Sequence, residues 1–599
     1  MSGLDAGNTV GVVKTQTLRV VEAGEPLQLA CGKKLGPIDV AYETYGDLND
    51  AGDNAVLICH ALSGNAHVAG YHSTADKNPG WWDVMVGPGK GIDTRKYFVI
   101  CSNIIGGCSG TTGPRSTNPA TGQPYGLEFP IVTIADMVKV QKLLLDRLGI
   151  KRLLAVIGGS MGGMQVLQWA IEYGDYVKAA IPIATTTHLG AQAIAFDAVG
   201  RNAILADPKF ANGRYAAEDG PSRGLGIARM IGHITYLSEQ SMRDKFGRQL
   251  RNSGGYRYDL DSEFTVETYL DHKGRSFVER FDADSYLYIT RAMDYFDLKK
   301  DYGSLKSAFA GTESRFFVIS FSSDWLFTPG QSEDIVNALV ANGKDVSYCS
   351  VECPYGHDAF LLESGALGLF ISGFLDATHR PDEAARLNAT NEPRPPAGIR
   401  GAWARRVDYE LIEALIESGS TVLDVGCGDG RLLADLKADK DIKGMGLEVD
   451  QDLLLACVKK GLSVIQCDVE RGLSSYADKS FDVVTLSQTL QTIKNPKEVF
   501  LELLRVGKRV IVSFPNFAYW RSRIQLLLSG RAPVTGQLPF DWHDSPNIHF
   551  LSLKDFDRFC KDLNVTVEKR FPLVKTSASP VRFAPNLLAE QVIYVTSRG

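Results

Sequence analysis

Two α/β domains joined in series are the fold class predicted for this chain, and three observations carry the prediction. The 599 residues are about four times a ~150-residue domain, so two to four domains are expected. Short apolar runs alternate with helix-compatible stretches in two separate series, the pattern of sheets covered by helices. Between the series, Thr378 to Arg400 holds four prolines and many charges without apolar periodicity, which reads as a linker. The expected domains are therefore residues 1–377 and 401–599, with residues 378–400 between them.

The first series places strands at Ala55–Cys59, Tyr97–Cys101, Leu153–Ile157, Ala179–Ile183, Arg315–Phe321 and Asp345–Val351. Its rhythm lapses between about residues 185 and 306, where polar stretches rich in Arg, Tyr and Asp read as an inserted helical cap. The second series places strands at Thr421–Val425, Gly444–Val449, Val464–Cys467, Phe481–Leu486 and Arg509–Phe514. No internal repeat of roughly 20 to 50 residues is apparent, so a solenoid or propeller is not supported.

Composition narrows the function classes. Hydrophobic residues at 44% and charged residues at 22% are those of an ordinary core-forming chain. The 64 basic and 70 acidic side chains leave a net charge of -6, which gives no field to hold nucleic acid or an anionic membrane. Neither is an expected partner. The ten cysteines are scattered, mostly in apolar stretches, which fits a reducing cytoplasm. The nearest pair, Cys349 and Cys353, lacks a second pair or a histidine cluster, and no metal is expected. The N-terminus carries an acid, Asp5, and no apolar core, and no run approaches the ~18 apolar residues of a membrane span.

In the first domain, Leu153 to Ile157 runs into Gly158-Gly159-Ser160-Met161-Gly162-Gly163 and then a helix-compatible stretch. Glycines two residues either side of Ser160 let strand and helix approach closely around a strained turn, which projects the hydroxyl above the sheet edge. The helix amides also favour developing negative charge there. A serine hydroxyl needs a base to take its proton and a carboxylate to orient that base. In the order of an α/β-hydrolase these follow as serine, acid, histidine. Of the histidines after Ser160 (His188, His233, His272, His357, His379, His543 and His549), only His357 follows a predicted sheet strand of this domain. Asp324 ends the preceding strand, with helix capping as its other reading. An oxyanion hole then needs the N–H of Met161 and one from the loop His60-Ala61-Leu62-Ser63-Gly64, where Leu62 is the expected donor. His60 reads as a loop-packing residue.

The segments ICHALSG, GGSMGGMQ, SSDWLF and YGHDAF resemble homoserine O-acetyltransferase, the MetX branch of the α/β-hydrolases, over residues ~15 to 377. The resemblance implies a ping-pong transfer from acetyl-CoA through an acyl-Ser160 to homoserine, activated by His357. It also implies that Arg229 and Asp358 hold the carboxylate and ammonium of the amino acid, and that the enzyme forms a homodimer through the cap. Relatives that use succinyl-CoA carry an Arg two residues after the catalytic acid. Here that position is Leu326, and a buried succinyl carboxylate would lack a partner there. The alternatives are homoserine O-succinyltransferase or a serine esterase with the same triad.

In the second domain, Asp424-x-Gly426-x-Gly428-x-Gly430 sits between a strand and a helix-compatible run and resembles motif I of the S-adenosylmethionine-dependent methyltransferases. Glu448 stands about 20 residues on, at the end of the next strand, where a Rossmann-like class I methyltransferase-type fold holds a ribose diol. Asp468 is similar to the acid that contacts the adenine. A dinucleotide site is the second reading. The stretch ~405 to 573, with FDVVTLSQTL and FPN, resembles the MetW family. That resemblance implies an S-adenosylmethionine-binding module, regulatory or catalytic.

Overall fold

The computed structural model describes residues 8–252, 254–362, 365–380, 407–471, 473–574 and 579–598. The chain divides into two compact units, Met1–His379 and Arg380–Gly599. Thr378 and His379 complete the helix Gly365–His379. From residue 381 onward the expected linker lies outside the described residues.

The strands of the first unit are β1 (Gln16–Val21), β2 (Leu27–Gln28), β3 (Lys34–Leu35), β4 (Ile38–Tyr45), β5 (Ala55–Cys59), β6 (Phe98–Ser102), β7 (Leu153–Gly159), β8 (Val177–Ile183), β9 (Arg315–Phe321) and β10 (Val346–Val351). β2 and β3 form a small hairpin, and the others lie in the order β1-β4-β6-β5-β7-β8-β9-β10. From β6 to β10 the pairing is parallel, while β1 and β4 close one edge antiparallel. Every residue of β5 and of β7 is buried, so these apolar runs do not alternate, as a parallel sheet covered on both faces requires.

From β5 the chain crosses to β6 on one side and returns to β7 on the other. Connections diverge at their carboxyl ends, and that divergence leaves the crevice in which an open α/β sheet places its site. The helix Met161–Glu172 follows β7 directly and is buried along most of its length. Between β8 and β9 the chain builds a cap of helices: Ala191–Leu205, Ser222–Tyr236, Glu239–Phe246, Thr265–Val278 and Ala283–Asp294. Ser238 and Asp282 start two of them by accepting the N–H of Ser241 and Ser285.

The second unit holds β11 (Thr421–Val425), β12 (Lys443–Glu448), β13 (Ser463–Gln466), β14 (Phe481–Ser487), β15 (Gly507–Pro515), β16 (Thr566–Leu573) and β17 (Gln591–Ser597). Their order is β13-β12-β11-β14-β15-β17-β16. The first five are parallel, and β17 enters antiparallel between β15 and β16. This is a Rossmann-like sheet whose switch point lies between β11 and β14. Among the described residues, no single helix is long and apolar enough to cross a membrane.

Candidate active site

Ser160 occupies the turn between β7 and the helix Met161–Glu172 with φ 59° and ψ −125°, a strained conformation for a side chain with a Cβ. Its N–H donates to Ile183 O at 3.0 Å, and its carbonyl accepts from Thr185 Oγ1 at 2.8 Å, which pins the turn to β8. The hydroxyl, 7% exposed with its residue, makes no hydrogen bond among the described residues. A Cβ on Gly162 would stand 2.1 Å from Cys59 O, and one on Gly158 2.6 Å from Gly162 O. Helix, turn and β5 therefore meet only because both positions lack a side chain. Replacing Gly162 by Ala should cost about 3 kcal/mol or more, because rigid backbone and not a flexible side chain stands in the way. Urea denaturation checks this, and an unchanged midpoint would contradict it.

Asp324 follows β9 and His357 follows β10. Asp324 Oδ1 accepts the N–H of Leu326 at 3.0 Å and of Phe327 at 2.9 Å, which fixes the carboxylate, and Oδ2 lies 2.8 Å from His357 Nδ1. A carboxylate only accepts, so Nδ1 carries the proton and Nε2 keeps its lone pair. His357 is 3% exposed. Burial pulls its pKa down, but the charge and hydrogen bond of Asp324, with Asp358 beside it, hold it above the usual histidine value. The ring lies 5.8 Å from Phe360, and Phe360 also fills the space against Gly159, next to the serine.

Leu62, on the loop after β5, and Met161, the first residue of the helix, each have a backbone N–H that donates no hydrogen bond among the described residues. A buried chain of amides joins their two segments. Trp169 Nε1 donates to Gln141 Oε1 at 2.8 Å, Gln141 Nε2 to Gln165 Oε1 at 2.8 Å, and Gln165 Nε2 to His60 O at 3.2 Å. His60 itself is buried against Ala61 O at 2.8 Å, and burial lowers its pKa.

The same loop is anchored further along by Glu43 of β4, which is fully buried. Its carboxylate accepts from Thr15 at 2.6 Å and Tyr45 at 2.7 Å, and meets His67 at 3.0 Å and His72 at 2.8 Å. Burial opposes the charge, but these hydrogen bonds outweigh it and hold the carboxyl at a pKa of about 2. Among the described residues this is the group that brings three possible metal donors together. The four partners satisfy the carboxylate.

Arg229, on the helix Ser222–Tyr236, reaches Ser63 Oγ at 3.3 Å and stacks 4.7 Å from Phe277 and 5.5 Å from Tyr236. Asp358 adjoins His357, and its carboxyl accepts no hydrogen bond among the described residues. Burial raises its pKa, opposed by His357 and then Arg229. Leu326 is half-buried. The cap is tied to the loops of Asp324 and His357. Ser241 Oγ donates to Pro354 O at 2.8 Å, Ser238 Oγ donates to the same oxygen, and Trp325 Nε1 donates to Leu237 O at 3.0 Å. Glu43, Gln141, Ser238 and Ser241 did not stand out in the sequence, and Gln165 and Trp325 stood there only as members of longer segments. Each is a polar side chain that only tertiary contact distinguishes from a surface one.

In the second unit the glycine loop follows β11. Gly426, Gly428 and Gly430 all have positive φ, and a Cβ on Gly428 would meet open space, so backbone conformation alone demands glycine there. Glu448 Oε2 accepts the Gly428 N–H at 2.8 Å, and Oε1 accepts from Val449 at 2.8 Å and Asp450 at 3.1 Å. Asp424 is buried in β11 and accepts from Thr485 Oγ1 at 2.6 Å, so it braces the sheet beneath the loop. Asp468 is exposed and accepts the N–H of Glu470 at 3.0 Å.

The fold and site of the first unit define an α/β-hydrolase-type enzyme with a serine elbow. Residues 54–364 match the family described as alpha/beta hydrolase fold, and residues 406–596 match Methionine biosynthesis protein MetW. The chain is 43% identical over 564 residues to the bifunctional methionine biosynthesis protein MetXA/MetW of Rhodopirellula baltica, covering 92% of this chain and 88% of that one. It is 55% identical over 374 residues to the homoserine O-acetyltransferase of Methanohalobium evestigatum, covering 62% of this chain and 76% of that one. Among solved structures, the homoserine O-acetyltransferase of Bacillus anthracis matches with a TM-score of 0.58 at 30% identity, over 61% of this chain and 98% of that one. Esterase E22 matches with 0.56 at 31%, over 61% and 100%. This chain belongs to the bifunctional MetXA/MetW family of methionine biosynthesis, its first unit a member of the homoserine O-acetyltransferases.

Proposed function

We propose that the first unit transfers the acetyl group of acetyl-CoA to the hydroxyl of L-homoserine, with Ser160, His357 and Asp324 as its catalytic residues. The observation that carries this reading is the buried pairing of Asp324 with His357, in the domain whose strained elbow presents Ser160. Ser160 Oγ attacks the thioester carbon while its proton passes to His357 Nε2. The oxyanion rests on the Leu62 and Met161 amides. The C–S bond breaks, the proton goes to the departing thiolate, and an acetyl-serine remains. His357 then takes the proton of the homoserine hydroxyl as that oxygen attacks the ester, and returns it to Ser160 Oγ.

Arg229 and Asp358 hold the amino acid. Each lacks an ion-pair partner among the described residues, so a cation and an anion wait for a zwitterion. Leu326 favours acetyl over succinyl, since it offers no charge to a second carboxylate. The second unit binds S-adenosylmethionine on the glycine loop after β11, with Glu448 and Asp468 as its acids, and modulates the first unit from within the same chain. The enzyme works in the cytoplasm as a dimer paired through the cap.

The test is mass spectrometry of products from homoserine with acetyl-CoA and succinyl-CoA side by side, repeated with S-adenosylmethionine. O-acetylhomoserine should dominate. Release of CoA without homoserine, at the rate seen with it, would mean an esterase instead.

A further inference from the structure

Three cations of the cap gather near the site with no role so far. Arg280, just beyond the helix Thr265–Val278, donates from Nη1 to Ser63 O at 3.1 Å and lies 5.3 Å from the Phe277 ring. Arg229 meets the same serine and the same ring. Two guanidinium groups therefore share one neighbourhood. Lys273 stands 5.6 Å from the ring of Tyr269, whose hydroxyl lies 3.3 Å from His233 Nδ1. Lys245 lies in the last turn of the helix Glu239–Phe246, whose Phe246 ring packs 4.8 Å from that of Tyr269. None of the four makes an ion pair among the described residues.

Their charges act on the groups around them. Burial, then Arg229, Lys273, Arg280 and Lys245, push His233 down to about 3. Lys273 is itself pushed down, by burial first and by Arg229 next. The acid that offsets this field is Asp358. Four positive charges against one acid leave an excess that is a binding field for an anion. Homoserine cannot supply it, because a zwitterion brings no net charge. Of the reactants, only the donor carries further anions, on its phosphoryl groups, at the end of a flexible arm away from the thioester. Lys245 and Arg280 are exposed and Lys273 is half-buried, as a site met by that far end requires.

We propose that Lys245, Lys273 and Arg280 form the docking site for the phosphoryl groups of the acyl donor, an adenine nucleotide thioester. The proposal rests on the acyl-transfer reading above. Arg280 adds a positioning element, since the guanidinium that meets phosphate also holds the residue next to Leu62.

The experiment compares acetyl-CoA with S-acetyl-N-acetylcysteamine, which has the thioester and no phosphate, on the full chain and on K245A, K273A, R280Q and the triple variant. The triple variant should raise KM for acetyl-CoA by about 10- to 100-fold, at least tenfold more than any loss on the truncated donor. Added salt should raise the wild-type KM for acetyl-CoA alone. Equal losses on both donors, or an unchanged KM, would overturn the proposal. Calorimetric titration of CoA reads the site without turnover. An unchanged Kd in the triple variant also overturns it, whereas a wild type that binds CoA yet acylates no homoserine overturns only the acyl-transfer reading.

Discussion

Ser160→Ala lowers acetyl transfer by about 10⁴-fold or more, with the fold intact. The substitution removes one oxygen from a hydroxyl that makes no hydrogen bond among the described residues, so little else depends on it. It also relaxes nothing in the turn, because Ser160 is held by its backbone contacts to Ile183 and Thr185. Rapid mixing with acetyl-CoA alone gives the sharper readout. The wild type should release one CoA per chain and gain the mass of an acetyl group, and the variant should do neither. A variant within tenfold of wild type would remove Ser160 from the mechanism.

Asp324→Asn should cost about 10⁴-fold in kcat while leaving the fold nearly untouched. Asparagine keeps an oxygen to accept the Leu326 and Phe327 amides. Its amide nitrogen then faces His357 Nδ1 and donates, which drives the ring proton to Nε2, where the base must have a lone pair. The pH profile carries a second signature. His357 would act when neutral, and its raised pKa places the acid limb of kcat/KM above the usual histidine range in the wild type. With the carboxylate gone, burial is opposed by Asp358 alone and pulls the pKa down, so the limb moves to lower pH. A limb that stays in place would show that another group titrates.

The central strands were legible in the sequence because they are buried on both faces. The bounds of β5, β9 and β11 coincide with the expected apolar runs. The edges were not. β4 carries Asp39, Glu43 and Thr44 among its apolar residues, and its buried acid is tolerated only because Thr15, His67 and His72 arrive from elsewhere to join Tyr45 of the same strand. β16 exposes its first five residues, and its charged sequence looks like loop. The pairing of Asp324 with His357 could be read because each follows a strand, and strand ends converge in this fold. The cations of the cap could not, since Lys273 and Arg280 resemble the solvated charges of any surface helix until the fold brings them beside Ser63. Gln165 likewise looks like one polar residue in a glycine-rich helix, yet it joins the elbow to the loop of Leu62.

The ties from Ser238, Ser241 and Trp325 to the loops of His357 and Asp324 have a mechanical result. A roof bolted to the working parts cannot swing open without dragging them out of line. Traffic of so long a donor must therefore run through a fixed doorway, and a change of substrate would come from recutting its walls and not from loosening a hinge.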